Sequence, residues 1–277
     1  MKMKLFSYNY LDTRIHRLSG LTKLICFLLL TLTSMFSFDI RVILFLMAFS
    51  FLIFYISNIK LRQIKLMVIY VVFFLLTNFI LSYLLSPEEG PKIYETRHVI
   101  LHLFGRYYIS QEMLLYEITK LLKYASVIPV GIIFLFTTNP GEFASSLNGV
   151  GVSYKICYAL ELTLRYFPDV ARDFTSVSQA QQARGLDMSK KTKLSKRFKN
   201  TVLMIIPLIF STLDRIELIS NAMDLRGFGK NKKRTWYSKK KLMRQDGMAI
   251  IICAIIFVSS IMISVFINHS RFFNPFK

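Results

Sequence analysis

Two arginines in this chain stand in nearly the same setting, and the setting suits one kind of chemistry. Arg184 closes the stretch Ser178-Gln179-Ala180-Gln181-Gln182-Ala183-Arg184-Gly185. Arg226 closes Ser220-Asn221-Ala222-Met223-Asp224-Leu225-Arg226-Gly227. Each stretch reads Ser, amide, Ala, two variable residues, a small or aliphatic residue, then Arg-Gly, and matching positions lie 42 residues apart (226 minus 184, 220 minus 178). A guanidinium carries five donors in a planar fork that grips a carboxylate through two parallel hydrogen bonds. A glycine just after it accepts the left-handed conformation that stops a helix without strain. The arginine then sits at the negative end of the helix dipole, which favours its charge by roughly 0.3–1 kcal/mol. Ala183 and Leu225 keep each tip narrow enough to enter a groove. A single copy would be an ordinary solvated arginine beside a helix cap; two copies at one spacing suggest a docking device for two similar partners.

The elements that must position these tips are helices. Asn139-Pro140-Gly141-Glu142 has the order of an N-cap, a first-turn proline and a capping-box acid, and Asn148-Gly149 is a stop signal. A second helix is expected from near Ser153 to Arg184, bent at Pro168. Val170, Phe174, Val177, Ala180 and Ala183 fall on one of its faces by helical spacing, with Asp169, Arg172, Asp173 and Gln179 elsewhere. A third helix is expected from about Phe198 to Arg226, bent at Pro207, with Ile209, Leu213, Ile216 and Met223 as its apolar stripe. From Pro168 to Gly185, at 1.5 Å per residue, the arm would reach roughly 27 Å.

The rest of the chain belongs to a bilayer. Hydrophobic residues make up 53% of 277, Phe numbers 25, and yet the net charge is +20, so apolar and basic residues must be segregated. Five spans are expected near 22–38, 42–58, 66–85, 122–138 and 248–267. Lys23, at the edge of the first, is expected to snorkel. Leu24–Phe38, Leu66–Leu85, Tyr124–Thr138 and Met248–Asn268 contain no Asp, Glu, Lys, Arg or His. No proton relay or ion ligand is therefore expected within the membrane. Lys60, Arg62 and Lys65 share a side with the basic run Lys190, Lys191, Lys193, Lys196, Arg197, Lys199, Lys230, Lys232, Lys233, Arg234, Lys239, Lys240, Lys241 and Arg244. The positive-inside rule makes that side cytoplasmic, with the N-terminus inside, the C-terminus outside, and the mixed-charge 86–121 loop outside. The expected fold is an all-α integral membrane protein. It has an N-terminal four-span domain over 1–138, a cytoplasmic helical domain over 139–247 between the fourth and fifth spans, and a last span with a short tail over 248–277.

On these residues the chain resembles the transmembrane coupling (T) component of energy-coupling factor (ECF) transporters, the EcfT/CbiQ-like family that includes the cobalt-transporter permease subunits. The resemblance is densest from Thr138 to Gly185: Thr-Asn-Pro-Gly-Glu-Phe, Leu147 to Val152, Leu164-Arg165-Tyr166-Phe167-Pro168, and Gln181-Gln182-Ala183-Arg184-Gly185-Leu186-Asp187. It resumes at Ala222-Met223-Asp224-Leu225-Arg226-Gly227-Phe228 and continues more weakly at His16 to Leu24. There the family tends to have Asp-Pro-Arg where this chain has Ser19-Gly20-Leu21, so no role is carried over to those three. Leu225 stands where the family commonly has Ala or Ser. The resemblance implies that two cytoplasmic ABC-type ATPases receive Ala183-Arg184-Gly185 and Leu225-Arg226-Gly227 in surface grooves. ATP-driven closure would then move the helices against a separate substrate-binding membrane subunit (S component) that carries a vitamin or metal ion. Val170, Phe174, Val177, Leu213 and Ile216 are the candidate contacts for that subunit, since exposed apolar faces usually mark interaction sites.

Other features take plainer readings. Gly227-Phe228-Gly229-Lys230 lacks the spacing of a Walker A loop, so neither ATP hydrolysis nor a cofactor is expected in this chain. Trp236 and Tyr237 among lysines read as a headgroup anchor rather than a base-stacking patch, and nucleic acid is not an expected partner. His98 and His102, four apart, would share a helix face but lack a third metal ligand. Glu161 and Arg165 read as an intrahelical ion pair. Cys26, Cys157 and Cys253 read as small buried hydrophobes with no disulfide among them. Two rivals remain. An integral membrane enzyme acting at the cytoplasmic lipid interface would need clustered acids or an activated nucleophile, and Asp214 and Glu217 beside Arg215 offer neither. A secondary transporter would need paired membrane repeats.

Overall fold

The computed structural model describes residues 13–104, 107–186, 193–231, 235–268 and 272–275. Asp187, Lys190, Lys191, Lys232, Lys233 and Arg234, named above, lie outside them. The chain divides into two compact units, one of residues 1–139 with 240–277 and one of residues 140–239.

The first unit opens with a single turn, α1 (Arg14–Arg17), and then α2 (Gly20–Phe36), α3 (Ile40–Ile56) and α4 (Leu61–Leu85). Short polar caps delimit these apolar helices. Ser19 Oγ accepts from the Thr22 backbone N–H at 3.2 Å, and Asp39 Oδ1 accepts from Arg41 N–H at 2.9 Å. Such caps satisfy donors that hydrocarbon cannot. Then come α5 (Glu89–Tyr94), the antiparallel hairpin β1 (Val99–Phe104) with β2 (Tyr107–Ser110), and α6 (Gln111–Thr137). The chain is mostly helical, as expected, and this short hairpin is a local exception to it. It also breaks the proposed His pair, because His102 lies on a strand and His98 just before it. Val99-Ile100-Leu101 and Tyr107-Tyr108-Ile109 supply the β-branched and aromatic residues that suit a pleated ribbon. The unit closes with α10 (Arg244–Met262), which runs into a π-helical turn at Ile263–Ile267; α7 to α9 belong to the second unit.

Among the described residues three helical segments are long and apolar enough to cross a membrane: Ile64–Leu85, Gln111–Thr137 and Arg244–Ile267. Gly20–Phe36 and Ile40–Ile56 are shorter apolar helices. At 17 residues each, those two would rise about 25 Å. All five coincide with expected spans, but α6 starts at Gln111 rather than near 122. The added turns bring charge inward. Glu112, Glu117 and Lys120 are buried; Lys120 Nζ donates to Glu117 Oε1 at 2.9 Å and Ser82 Oγ donates to the same oxygen at 2.6 Å. The stretch Tyr124–Thr138 is free of charge as expected; the charge lies in the added turns of α6, where a paired carboxylate costs far less than a lone one.

The core forms where α6 packs along α3 and α2, and α10 along α2. Leu30, Val42, Leu46, Cys253 and Ile256 make one cluster, and Ile59, Ile64, Ile132 and Ile133 another. By contrast α4 leaves Leu66, Ile69, Tyr70, Phe73 and Leu76 exposed, as befits a lipid-facing helix. Contacts give the unit two ends. Ser19 meets Asp246, Lys23 meets Thr137 and Ile59 clusters with Ile132 and Ile133 at one end. Asp39 meets Asn268, and Ser34 meets Lys123, toward the other. The five helices thus alternate in direction, and both junctions with the second unit, after Asn139 and before Lys240, leave from the first of these ends.

A polar clasp occupies that end. Lys23, expected to snorkel, is only 6% exposed. Its Nζ donates to the carbonyl of Thr137 at 2.7 Å and to that of His16 at 3.2 Å. Lys240 Nζ donates to the same His16 carbonyl at 3.2 Å. Asp246 accepts from Ser19 N–H at 2.9 Å and from Met243 N–H at 2.7 Å. Ser19, to which the sequence comparison assigned nothing, is therefore both the cap of α2 and the tie to α10.

In the second unit stand α7 (Pro140–Gly149), α8 (Tyr154–Ala183) and α9 (Leu194–Leu225), with Pro168 inside α8 and Pro207 inside α9. The helix boundaries fall within a few residues of those expected from the caps and stops.

Candidate functional site

The two Arg-Gly stretches close their helices through the same pair of bonds. At the end of α8, Gly185 N–H donates to the carbonyl of Gln182 at 3.0 Å and Leu186 N–H to that of Gln181 at 3.1 Å. At the end of α9, Gly227 N–H donates to Asp224 at 2.9 Å and Phe228 N–H to Met223 at 3.0 Å. Each pair is a Schellman motif, which satisfies the last carbonyls of a helix by reversing the chain through one left-handed residue. Gly185 and Gly227 supply it, with φ of +92° and +64°. Arg184 and Arg226 hold the C-cap position in both, at φ −82°. Ala183, Arg184, Gly185, Leu225 and Arg226 are exposed and Gly227 is partly so. Leu225 shows 90% of its surface, a large apolar side chain held out beside a cation.

The surroundings of the two tips differ. Beyond Arg226 the chain folds back on the start of α8. The Phe228 ring lies tilted against Tyr158 at 4.9 Å and edge-to-face with Tyr154 at 5.7 Å. Trp236 lies 6.5 Å from Tyr158 and donates its Nε1–H to Asn148 Oδ1 at 3.0 Å. Trp236 is thus tied to α7 and α8 within its own unit and remains partly exposed, while Tyr237 is fully exposed. Burial of aromatic area supports the α9 tip from behind.

Between the arms, α8 and α9 enclose an apolar cleft of about 400 Å³. Leu162, Tyr166 and Val170 line it from α8, and Ile216, Ile219 and Met223 from α9. Of the five residues expected to contact a membrane partner, Val170 and Ile216 line this cleft. Phe174 and Leu213 are exposed outside it, and Val177 is half-buried. Tyr166 and Ile219 lie one turn from the predicted stripe at helical spacing, the signal that would have found them. The expected Glu161–Arg165 pair forms at 3.0 Å. A second ion pair was not expected: Arg215 Nη2 donates to Asp173 Oδ2 at 2.6 Å, joining α9 to α8.

Chemically the arrangement offers two rigid cation-tipped ends and an apolar cleft. Among the described residues no group of three or more His, Cys, Asp or Glu is placed to hold a metal ion.

Comparison with known proteins agrees with this picture. Residues 12–237 match the model of the CbiQ family, described as cobalt transport protein. The chain is 26% identical over 253 residues to the energy-coupling factor transporter transmembrane protein EcfT of Exiguobacterium sibiricum, covering 87% of this chain and 91% of that protein. It is 24% identical over 254 residues to the EcfT of Streptococcus equi, covering 87% and 89%. To the EcfT of Lactococcus lactis it is 29% identical over 163 residues, covering 56% and 60%.

Proposed function

Because the chain belongs to the CbiQ cobalt transport protein family, and is on that footing a transmembrane component of an ECF transporter, we propose that it couples two cytoplasmic ATPases to a separate substrate-binding membrane subunit. Arg184 and Arg226 each enter a groove on one ATPase and pair there with a carboxylate. The flanking Ala183 and Leu225 fill the apolar mouth of the groove, and Gly185 and Gly227 let the chain turn away without obstruction. When ATP closes the ATPase pair, the tips are carried with it. The helices α8 and α9 pass that displacement to the subunit resting on their apolar surface, with Val170, Phe174, Val177, Leu213 and Ile216 as contacts. The cargo, a vitamin or a metal ion, is held by that subunit. This chain contributes no catalytic group.

The observation that carries this reading is the identity of the two helix ends. A rigid helix ending in a Schellman turn transmits displacement, whereas a frayed end absorbs it. Two ends built alike suit two partners built alike. In this reading the coupling unit and the N-terminus face the cytoplasm and the C-terminus lies outside.

The decisive experiment reverses both charges. Arg184→Glu with Arg226→Glu should leave insertion intact and abolish co-purification of ATPase subunits from the native membrane. Retention of the ATPases by this double variant refutes docking through the tips.

A further inference from the structure

The 42-residue offset reaches further than the two tips. Asp173 and Arg215, which form the ion pair between α8 and α9, are themselves 42 apart. Arg184 stands 11 residues beyond Asp173, and Arg226 stands 11 beyond Arg215. Pro168 and Pro207, by contrast, are 39 apart. The repeat register therefore holds from the ion pair to the tips and is not kept at the prolines. In an arrangement with twofold symmetry, a residue meets its own equivalent only on the axis. We infer that the Asp173–Arg215 pair marks the local axis of the duplicated arms and acts as the positioning contact that fixes the spacing between the two tips. This rests on the docking role proposed above only in calling the tips docking ends.

The division of labour between contacts follows from their chemistry. Leu162 and Tyr166 of α8 face Ile219 and Met223 of α9 across the cleft, and the apolar attraction available there is non-directional. Such attraction tolerates sliding of one helix along the other. A guanidinium–carboxylate bond at 2.6 Å does not, because its geometry is directional. The two side chains are about one-third exposed, and pairs this open to water contribute little to stability. The pair therefore sets register more than it sets stability. Each arm then extends 11 residues past the brace, about 16 Å at 1.5 Å per residue, so the two lever lengths are equal. Equal levers suit two partners that must close on each other symmetrically.

The test measures the distance between the tips in the full chain in nanodiscs. Nitroxides go on Gln179→Cys and Asn221→Cys, both exposed and 42 apart, with Cys26, Cys157 and Cys253 replaced by Ala. Pulsed dipolar spectroscopy should give one narrow distance population for the parent. Asp173→Asn or Arg215→Gln should broaden it roughly twofold, and the exchange Asp173→Arg with Arg215→Asp should restore it, as expected of two coupled residues. Helix content and thermal midpoint should stay at parental values throughout, which separates positioning from loss of fold. If a single variant loses helix, Arg215→Lys, which keeps the charge without the fork, takes its place. Unchanged width in the single variants overturns the inference, as does an exchange variant as broad as the singles. Co-purification of ATPases is scored separately on Arg184→Glu with Arg226→Glu, so failure of docking and failure of the brace give different results.

Discussion

Gly185 and Gly227 have the same backbone role but different surroundings, and that difference is measurable. A Cβ added at Gly185 meets nothing within 4 Å, so Gly185→Ala bears only the conformational cost. For an L-residue held in the left-handed region that cost is roughly 1–2 kcal/mol. At Gly227 the added carbon also presses on Lys230 Cδ at 3.3 Å, a flexible neighbour that can yield. Both alanine variants should speed hydrogen exchange at the amides of the Schellman turn by about five- to thirtyfold, and Gly185→Asn should speed it less, since Asn visits that region more readily. Equal exchange in Gly185→Ala and parent would mean that the tip does not depend on the turn. His16 gives a second residue-level expectation. Burial, with Lys23 and Lys240 close by, holds its pKa below the ordinary value of 6.5, so the folded chain favours the neutral ring. The unfolded chain then binds more protons as pH falls. The contribution of His16 is intact above about pH 6.5 and declines below it. Denaturation of the parent in detergent should become easier between pH 7 and pH 5, and His16→Gln should flatten that dependence; equal slopes in both would exclude His16 as the titrating group.

Among the elements, α2 controls more than its own span. Lys23 Nζ caps the C-terminal carbonyl of Thr137 at the end of α6, two residues before the chain leaves the membrane unit, and its partner carbonyl at His16 also receives Lys240, where the chain returns. One short segment thus secures both junctions. A hydrogen bond from a charged donor contributes roughly 1.5–3 kcal/mol. Lys23→Met, similar in length but without the ammonium, should destabilise the chain by about 2 kcal/mol toward denaturing detergent. An unchanged midpoint would show that water replaces the ammonium there. This clasp was not legible in the sequence, because a lysine at the edge of an apolar run has a simpler fate, the headgroup layer. Only the three-dimensional meeting of α2, α6 and α10 shows why it turns inward. The hairpin was missed for a similar reason. The stretch Val99 to Ile109 alternates too little to separate strand from loop, and α6 begins at Ser110 with a cap whose signal is a single serine. What was legible were features written locally: the Arg-Gly ends, the stop at Asn148-Gly149, and the apolar runs. Asp173 and Arg215 were written in the sequence too, at the same 42-residue offset, but a lone acid and a lone base carry no signal until the offset is applied to them.

For the whole molecule, alternation of five helices within the first unit fixes which segments share an end, and the proposed function requires that the more basic of the two ends face the cytoplasm. Lys60, Lys65 and both junctions with the second unit share an end, while α5 and the hairpin, with Glu88, Glu89 and Glu95, lie toward the other. Lysine and arginine near span ends are retained on the cytoplasmic side. The anionic inner leaflet adds about 1 kcal/mol for each basic residue near its surface. Two probes decide the matter without reference to any partner. Tyr237 is fully exposed in the second unit, and Ile100 is 55% exposed on the hairpin, so cysteine at either position is open to reagent. In intact cells a membrane-impermeant maleimide should label Ile100→Cys and leave Tyr237→Cys unlabelled; in inside-out vesicles the pattern should reverse. Labelling of Tyr237→Cys from outside would place the arginine tips on the wrong side of the bilayer for any ATP-driven partner. Docking and coupling would then fall together, whatever the geometry of the helix ends.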